Sequence, residues 1–149
     1  MDWKTEAMMA GQALVAAVLG GFIGWDRQQQ GREAGIRTYA AVSLGACVFG
    51  LVSEHVPGFG DKGRIAAQIV SGVGFLGAGV ILRERGHVTG LTTAATLWAT
   101  SAVGLAIAFD MYALGVLTAL IVFGLLALQK LPGWSRKVGP PRRESASSR

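Results

Sequence analysis

Cysteine occurs once, at Cys47, and histidine twice, at His55 and His87. A lone thiol excludes an intrachain disulfide and a cysteine-based zinc cluster. Its neighbours Gly45, Ala46, Val48 and Phe49 mark it as a small buried apolar residue. The two histidines fall at opposite ends of the expected helices, and no nucleophile motif accompanies either, so triad chemistry has no support. Charge is scarce too. Only 15% of residues are Asp, Glu, Lys or Arg, against about a quarter in soluble domains. These charges lie between apolar blocks, the pattern of a multi-pass membrane protein.

Other absences narrow the class further. No basic-aromatic domain carries the net charge of +5, so the partner it implies is the lipid bilayer surface and not nucleic acid. Magnesium favours oxygen ligands, usually one or two carboxylates with retained waters. The acids expected near the inner face are Asp26, Glu33 and Glu84, outnumbered there by arginines 27, 32, 37, 83 and 85. No dedicated metal cage is visible, the metal ligands stay unassigned, and no cofactor is expected. The N-terminus, Asp2-Trp3-Lys4-Thr5-Glu6, lacks the positive n-region of a secretory leader, so the first apolar block reads as a retained span.

What the chain has in abundance is apolar sequence, 51%, and glycine, 22 residues of 149. The apolar runs predict an all-α, multi-pass transmembrane helical bundle of about five spans, at residues 7–25, 36–52, 64–82, 91–109 and 111–128. Residues 1–129 form the membrane domain, and 130–149 a basic, disordered cytoplasmic tail. Pro57, Gly58 and Gly60 mark a turn between the second and third spans. Only Asp110 separates the last two spans. Either the helix ends unwind around it, or the fourth span is shorter and partly re-entrant. Counting Lys and Arg gives eleven on the inner side against three outside if the N-terminus is out and the C-terminus cytoplasmic.

The third span holds Gly72, Gly74, Gly77 and Gly79. Gly72-x-Gly74-x-x-Gly77 matches a dinucleotide fingerprint, which requires a strand before it and an acidic residue about 20 positions on. Both flanks here are apolar and helix-like. In a bilayer such glycines serve close helix packing, and this span is expected to be central and to hold the bundle together. Gly20-x-x-x-Gly24 gives the first span a similar face.

Among residues able to carry chemistry, Asp26 stands first. It is expected where the first span ends, and ionisable groups at membrane depth are costly and often functional. The plainer reading is a loop acid paired with Arg27, Arg32 or Arg37. Arg37 and Thr38 enter the second span, where the guanidinium can bind an acid or a lipid phosphate or act as a positive-inside anchor. Arg64 and Gln68 share a helix face, Gln68 being expected to face protein. Thr92 and Thr93, with Thr96, either cap the fourth span or line a polar seam, capping being the simpler account. Trp98 needs an acceptor for its indole N–H and is expected to point into the bundle.

These residues together resemble the membrane domain of the MgtC/SapB family. The segments that carry the resemblance are Gly24-Trp25-Asp26-Arg27, Ala34-Gly35-Ile36-Arg37-Thr38-Tyr39-Ala40, residues 64–82, and Val88-Thr89-Gly90-Leu91-Thr92-Thr93-Ala94-Ala95-Thr96-Leu97-Trp98, in the family's order and approximate spacing. The resemblance implies a bacterial inner-membrane protein linked to magnesium homeostasis and growth at low magnesium. Better-known members are regarded as regulators of other membrane proteins, including the ATP synthase, and not as established magnesium channels; without a plausible catalytic pair, an enzyme is not expected. Transport of a cation or small solute is the alternative, using Asp26, Arg37 and the fourth-span hydroxyls. The resemblance also gives weight to the acid of the Gly-x-Asp/Glu-Arg motif, here Asp26. Some members carry a soluble C-terminal domain, where this sequence has a short Pro/Ser/Arg tail. The expected partners are a second copy, through small-residue faces, and another membrane protein complex.

Overall fold

Apolar runs that must satisfy their own backbone hydrogen bonds in lipid become helices. A computed structural model of the chain describes residues 2–55, 62–84 and 87–128. The tail and the Pro57–Gly60 turn therefore lie outside the described residues. Five helices follow in order: α1 (Trp3–Gln29), α2 (Ile36–His55), α3 (Lys62–Val80), α4 (Leu91–Ala108) and α5 (Tyr112–Ala127). The first four are each long and apolar enough to cross a bilayer, and α5 is a shorter apolar helix. The fold is an all-α, multi-pass membrane bundle.

The centre of the bundle is α4, not α3 as the glycines suggested. Helix α4 packs on each of the other four helices, while α3 leans on α4 and only lightly on α2. The reason lies in the side chains. One face of α4 carries Thr93, Thr96, Leu97, Thr100, Val103, Gly104 and Ile107, all buried, at the spacing of a single helix stripe. That face meets α2 so closely that a Cβ on Gly104 would collide with the backbone carbonyl of Ser43. The apolar core gathers around it, with Ile23, Tyr39, Leu97, Val103, Ala119, Val122 and Leu126 in one cluster and Ala16, Cys47, Leu51, Ile107 and Ala108 in another.

Two connections position the helices. Between α3 and α4 a short antiparallel hairpin pairs β1 (Leu82–Glu84) with β2 (His87–Thr89), Arg83 opposite Val88. Gly90 closes it with φ of 83°, and its Cα lies against the Val80 carbonyl where a side chain would clash; only glycine fits both demands. Between α4 and α5 the helix ends unwind around Asp110, at φ 58°, and α4 keeps 18 residues, long and apolar enough to cross a bilayer. The Met111 amide donates to the Ala106 carbonyl and the Asp110 amide to the Ile107 carbonyl, which satisfies the end of α4.

Candidate functional site

Helix α1 does not stop at Trp25. It continues through Gln29, so Asp26 and Arg27 belong to a helix and not to a loop. Packing makes the extension possible. Gly24 lets the start of α2 approach until a Cβ there would lie 2.8 Å from the Ile36 Cα, and Gly20 does the same against the Tyr39 carbonyl, at 2.5 Å. The last turn of α1 is thereby covered, and Asp26 and Arg27 are 2% and 1% exposed.

A charge so buried must be paired. Arg27 Nη2 donates to Asp26 Oδ2 at 3.2 Å and to Gln30 Oε1 at 2.9 Å, and Gln30 Nε2 donates to the same Asp26 oxygen. Gln30 is four residues beyond Asp26 and three beyond Arg27, within one turn of both. At the end of α1 the cluster brings one acid, one base and one amide together. Arg27 also sits in the last turn of α1, where a cation is favoured by the helix dipole. Its Nε is buried with no hydrogen-bond partner. Of the partners considered for Asp26, the structure chooses Arg27; Arg32 and Arg37 are exposed.

Tyr39 connects this cluster to α4. It is fully buried, lies within electrostatic range of Arg27 and Asp26, and its hydroxyl meets Thr96 Oγ1 at 2.5 Å. Thr96 donates back along α4 to the carbonyls of Thr92, at 2.8 Å, and Thr93, at 3.1 Å, so Tyr39 is the donor in that pair. Thr100 donates to the Thr96 carbonyl and Ser101 to the Trp98 carbonyl, both at 2.7 Å. Such back-bonding satisfies a hydroxyl inside the bundle without help from water. The threonines form a buried polar seam, and the capping account is corrected: α4 begins at Gly90 with no side-chain cap.

Other expected residues fall elsewhere. Trp98 is half exposed and faces outward, because the hydroxyls and Leu97 take the inner face of α4. Gln68 is exposed instead of facing protein, and Arg37, Thr38, Arg64 and Thr92 are exposed as well. In α3 only Gly77 meets a neighbour, Ala94 Cβ at 3.5 Å from a built Cβ; Gly72, Gly74 and Gly79 face open space. The structure therefore brings Asp26, Arg27, Gly20 and Gly24 together at the end of α1, buries Thr93 on α4 and Gly77 against α4, and leaves the other candidates on the periphery.

Sequence reasoning missed four participants. Gln30 and Tyr39 complete the site, and their signal was helical spacing from Asp26 and Thr38-adjacent placement on α2. Gln12 and Asp110 form a second polar contact at the opposite end of the bundle. Gln12 Nε2 donates to the Ile107 carbonyl and to Asp110 Oδ1, both at 3.0 Å. Gln12 is the one polar side chain between Ala7 and Trp25, which was a readable signal of a group needing a partner.

Comparison with known proteins adds to this geometry. The sequence profile of the MgtC family matches residues 13–132. Protein MgtC of Brucella abortus (strain 2308) is 51% identical over 104 residues, 70% of this chain and 44% of that protein. Protein MgtC of Salmonella typhimurium (strain LT2) is 55% identical over 91 residues, 61% of this chain and 39% of that protein. YhiD of Escherichia coli (strain K12), whose name offers magnesium transport as a conjecture, is 43% identical over 113 residues, 69% of this chain and 52% of that protein. The chain thus spans about half or less of the length of these relatives. No solved structure matches.

Proposed function

The chain belongs to the MgtC family, and on that premise we propose that it is a non-enzymatic regulatory protein of the bacterial inner membrane, linked to magnesium homeostasis or to acid or low-magnesium stress. The observation that carries this reading is the buried Asp26–Arg27–Gln30 cluster, in which the acid is engaged from the end of its own helix. A site that passed a divalent cation would present carboxylate oxygens and room for retained water. Here the one carboxylate at depth is held by its own arginine and glutamine. Among the described residues no group of three or more His, Cys, Asp or Glu is placed to hold a metal ion. The cluster instead sits where Gly20 and Gly24 bring α2 against the end of α1, which suits a fixed surface that another membrane protein reads.

The transporter reading draws on the buried hydroxyls of α4 and on the conjecture in the Escherichia coli relative's name. The two separate in liposomes. The regulator gives no magnesium flux above empty vesicles and co-purifies with a larger membrane complex. Robust flux that Asp26→Asn abolishes would overturn it. The proposed orientation, N-terminus out and C-terminus cytoplasmic, rests on the Lys and Arg count. Self-association is assigned to the open glycines Gly74 and Gly79, not Gly77, since the latter is engaged with Ala94. Crosslinking in membranes that yields only monomer removes it.

A further inference from the structure

Helices α2 and α3 diverge enough to leave a groove of about 540 Å³ between them. Its walls are Thr38, Ala41, Val42, Gly45, Ala46 and Phe49 on one side and Ile65, Gln68, Ile69, Gly72, Val73 and Leu76 on the other. Both sets repeat at intervals of three and four, so each is one continuous helix face. The lining is apolar apart from Thr38 and Gln68. Gly45 and Gly72 have no atom within 4 Å of a built Cβ, so the groove is widest where they stand.

From Thr38 to Phe49 is eleven residues, roughly 16 Å of helix at about 1.5 Å per residue. A bilayer's hydrocarbon core is about 30 Å thick, so each wall of the groove is about as long as one acyl chain and half a membrane crossing. A neighbouring membrane-crossing helix would need contact across both halves. The volume points the same way: a helix about 10 Å wide fills roughly 120 Å³ per residue, so the groove would enclose less than two turns of one.

Charge identifies the polar end. Arg37 adjoins Thr38 and is exposed. It stands in the first turn of α2, where membrane hydrocarbon gives way to headgroups. Arg83, also exposed, lies beyond α3 at the same end of the bundle. We infer that this groove is a binding site for an anionic phospholipid, one acyl chain lying between α2 and α3 and the phosphate held by the Arg37 guanidinium and the Thr38 hydroxyl. The assignment is independent of the regulator reading and places a fixed lipid where the apolar faces alone would imply only bulk bilayer.

Native mass spectrometry of the full chain in detergent tests it, with dioleoyl phosphatidylglycerol and dioleoyl phosphatidylcholine supplied equally. The expected result is retention of one phosphatidylglycerol in preference to phosphatidylcholine. Arg37→Gln lowers that preference about fivefold, the effect of one basic residue at an anionic surface, while leaving total retention of lipid in place. Gly45→Leu with Gly72→Leu fills the groove and ends retention of both lipids. These glycines have open space around them, and helical content by circular dichroism checks that the variant folds. Unchanged retention in the filled variant, or an unchanged preference in Arg37→Gln, overturns the assignment. So does a pair of chains crosslinked through the groove that the filled variant dissolves with lipid retention intact.

Discussion

At the scale of single residues, the Asp26–Arg27 pair is the most demanding feature of the chain. Removing one member of a buried pair leaves a charge with no compensation and costs about 3–5 kcal/mol, whereas removing both costs much less. Arg27→Ala should therefore lower stability by that amount in a detergent denaturation series. Asp26→Asn combined with Arg27→Gln should cost less than the sum of the two single changes. Additive losses in the double-mutant cycle would show that the pair is not coupled. Tyr39→Phe is milder. Thr96 keeps its bonds to the Thr92 and Thr93 carbonyls, so only one hydrogen bond is lost, about 1 kcal/mol. Trp98→Phe, on the outer face, should lie within about 0.5 kcal/mol of the parent; a larger loss would place that indole inside the bundle after all.

Helix by helix, glycines of one composition do opposite things. Gly104 admits the backbone of α2, while Gly74 touches nothing. Gly104→Ala should separate α4 from α2 and be clearly destabilising, whereas Gly74→Ala should be neutral or stabilising by up to about 1 kcal/mol through helix propensity. Thermal unfolding followed by circular dichroism reads the contrast, and equal effects would contradict the packing described. This difference was not legible in the sequence. A run of four glycines announces a helix that can be approached closely, but it does not say from which side or by what. The spans themselves were legible, because uninterrupted apolar runs permit little else in lipid. The end of α1 was not. Asp26 and Arg27 look like the first residues of a loop until Gly20 and Gly24 bring α2 over them, and that contact joins residues distant from any local pattern. The same holds for Trp98, whose direction follows from what Leu97 and the α4 hydroxyls occupy.

For the whole molecule, the bundle has two polar fastenings at opposite ends, one around Asp26 and one at Gln12 and Asp110. Between them the seams are apolar or back-bonded hydroxyl, apart from Ser43, whose buried Oγ has no hydrogen-bond partner among the described residues. Both fastenings involve α1, and α4 takes part at each end, through Tyr39–Thr96 and through the Ile107 carbonyl. Gln12→Leu should release the Gln12–Asp110 fastening and leave the Asp26 cluster formed. Cysteine labelling at position 108, buried beside the Asp110 turn, should then rise while labelling at position 34, buried at the other end, stays low; protection retained at both would show that Gln12 holds nothing in place. With reporter fusions, one placed after residue 128 should report cytoplasm and one at the N-terminus the opposite side.

The Gln12 contact also fixes an order of events during biogenesis. Gln12 and its acceptor Ile107 are 95 residues apart in the chain. At roughly 5–20 residues per second of synthesis, α1 waits on the order of 5–20 s in the insertion machinery or the bilayer before the carbonyl that satisfies its amide exists. The first helix made is thus the one whose lodging is completed last, and the nascent chain is vulnerable to quality-control proteolysis until the α4–α5 turn arrives.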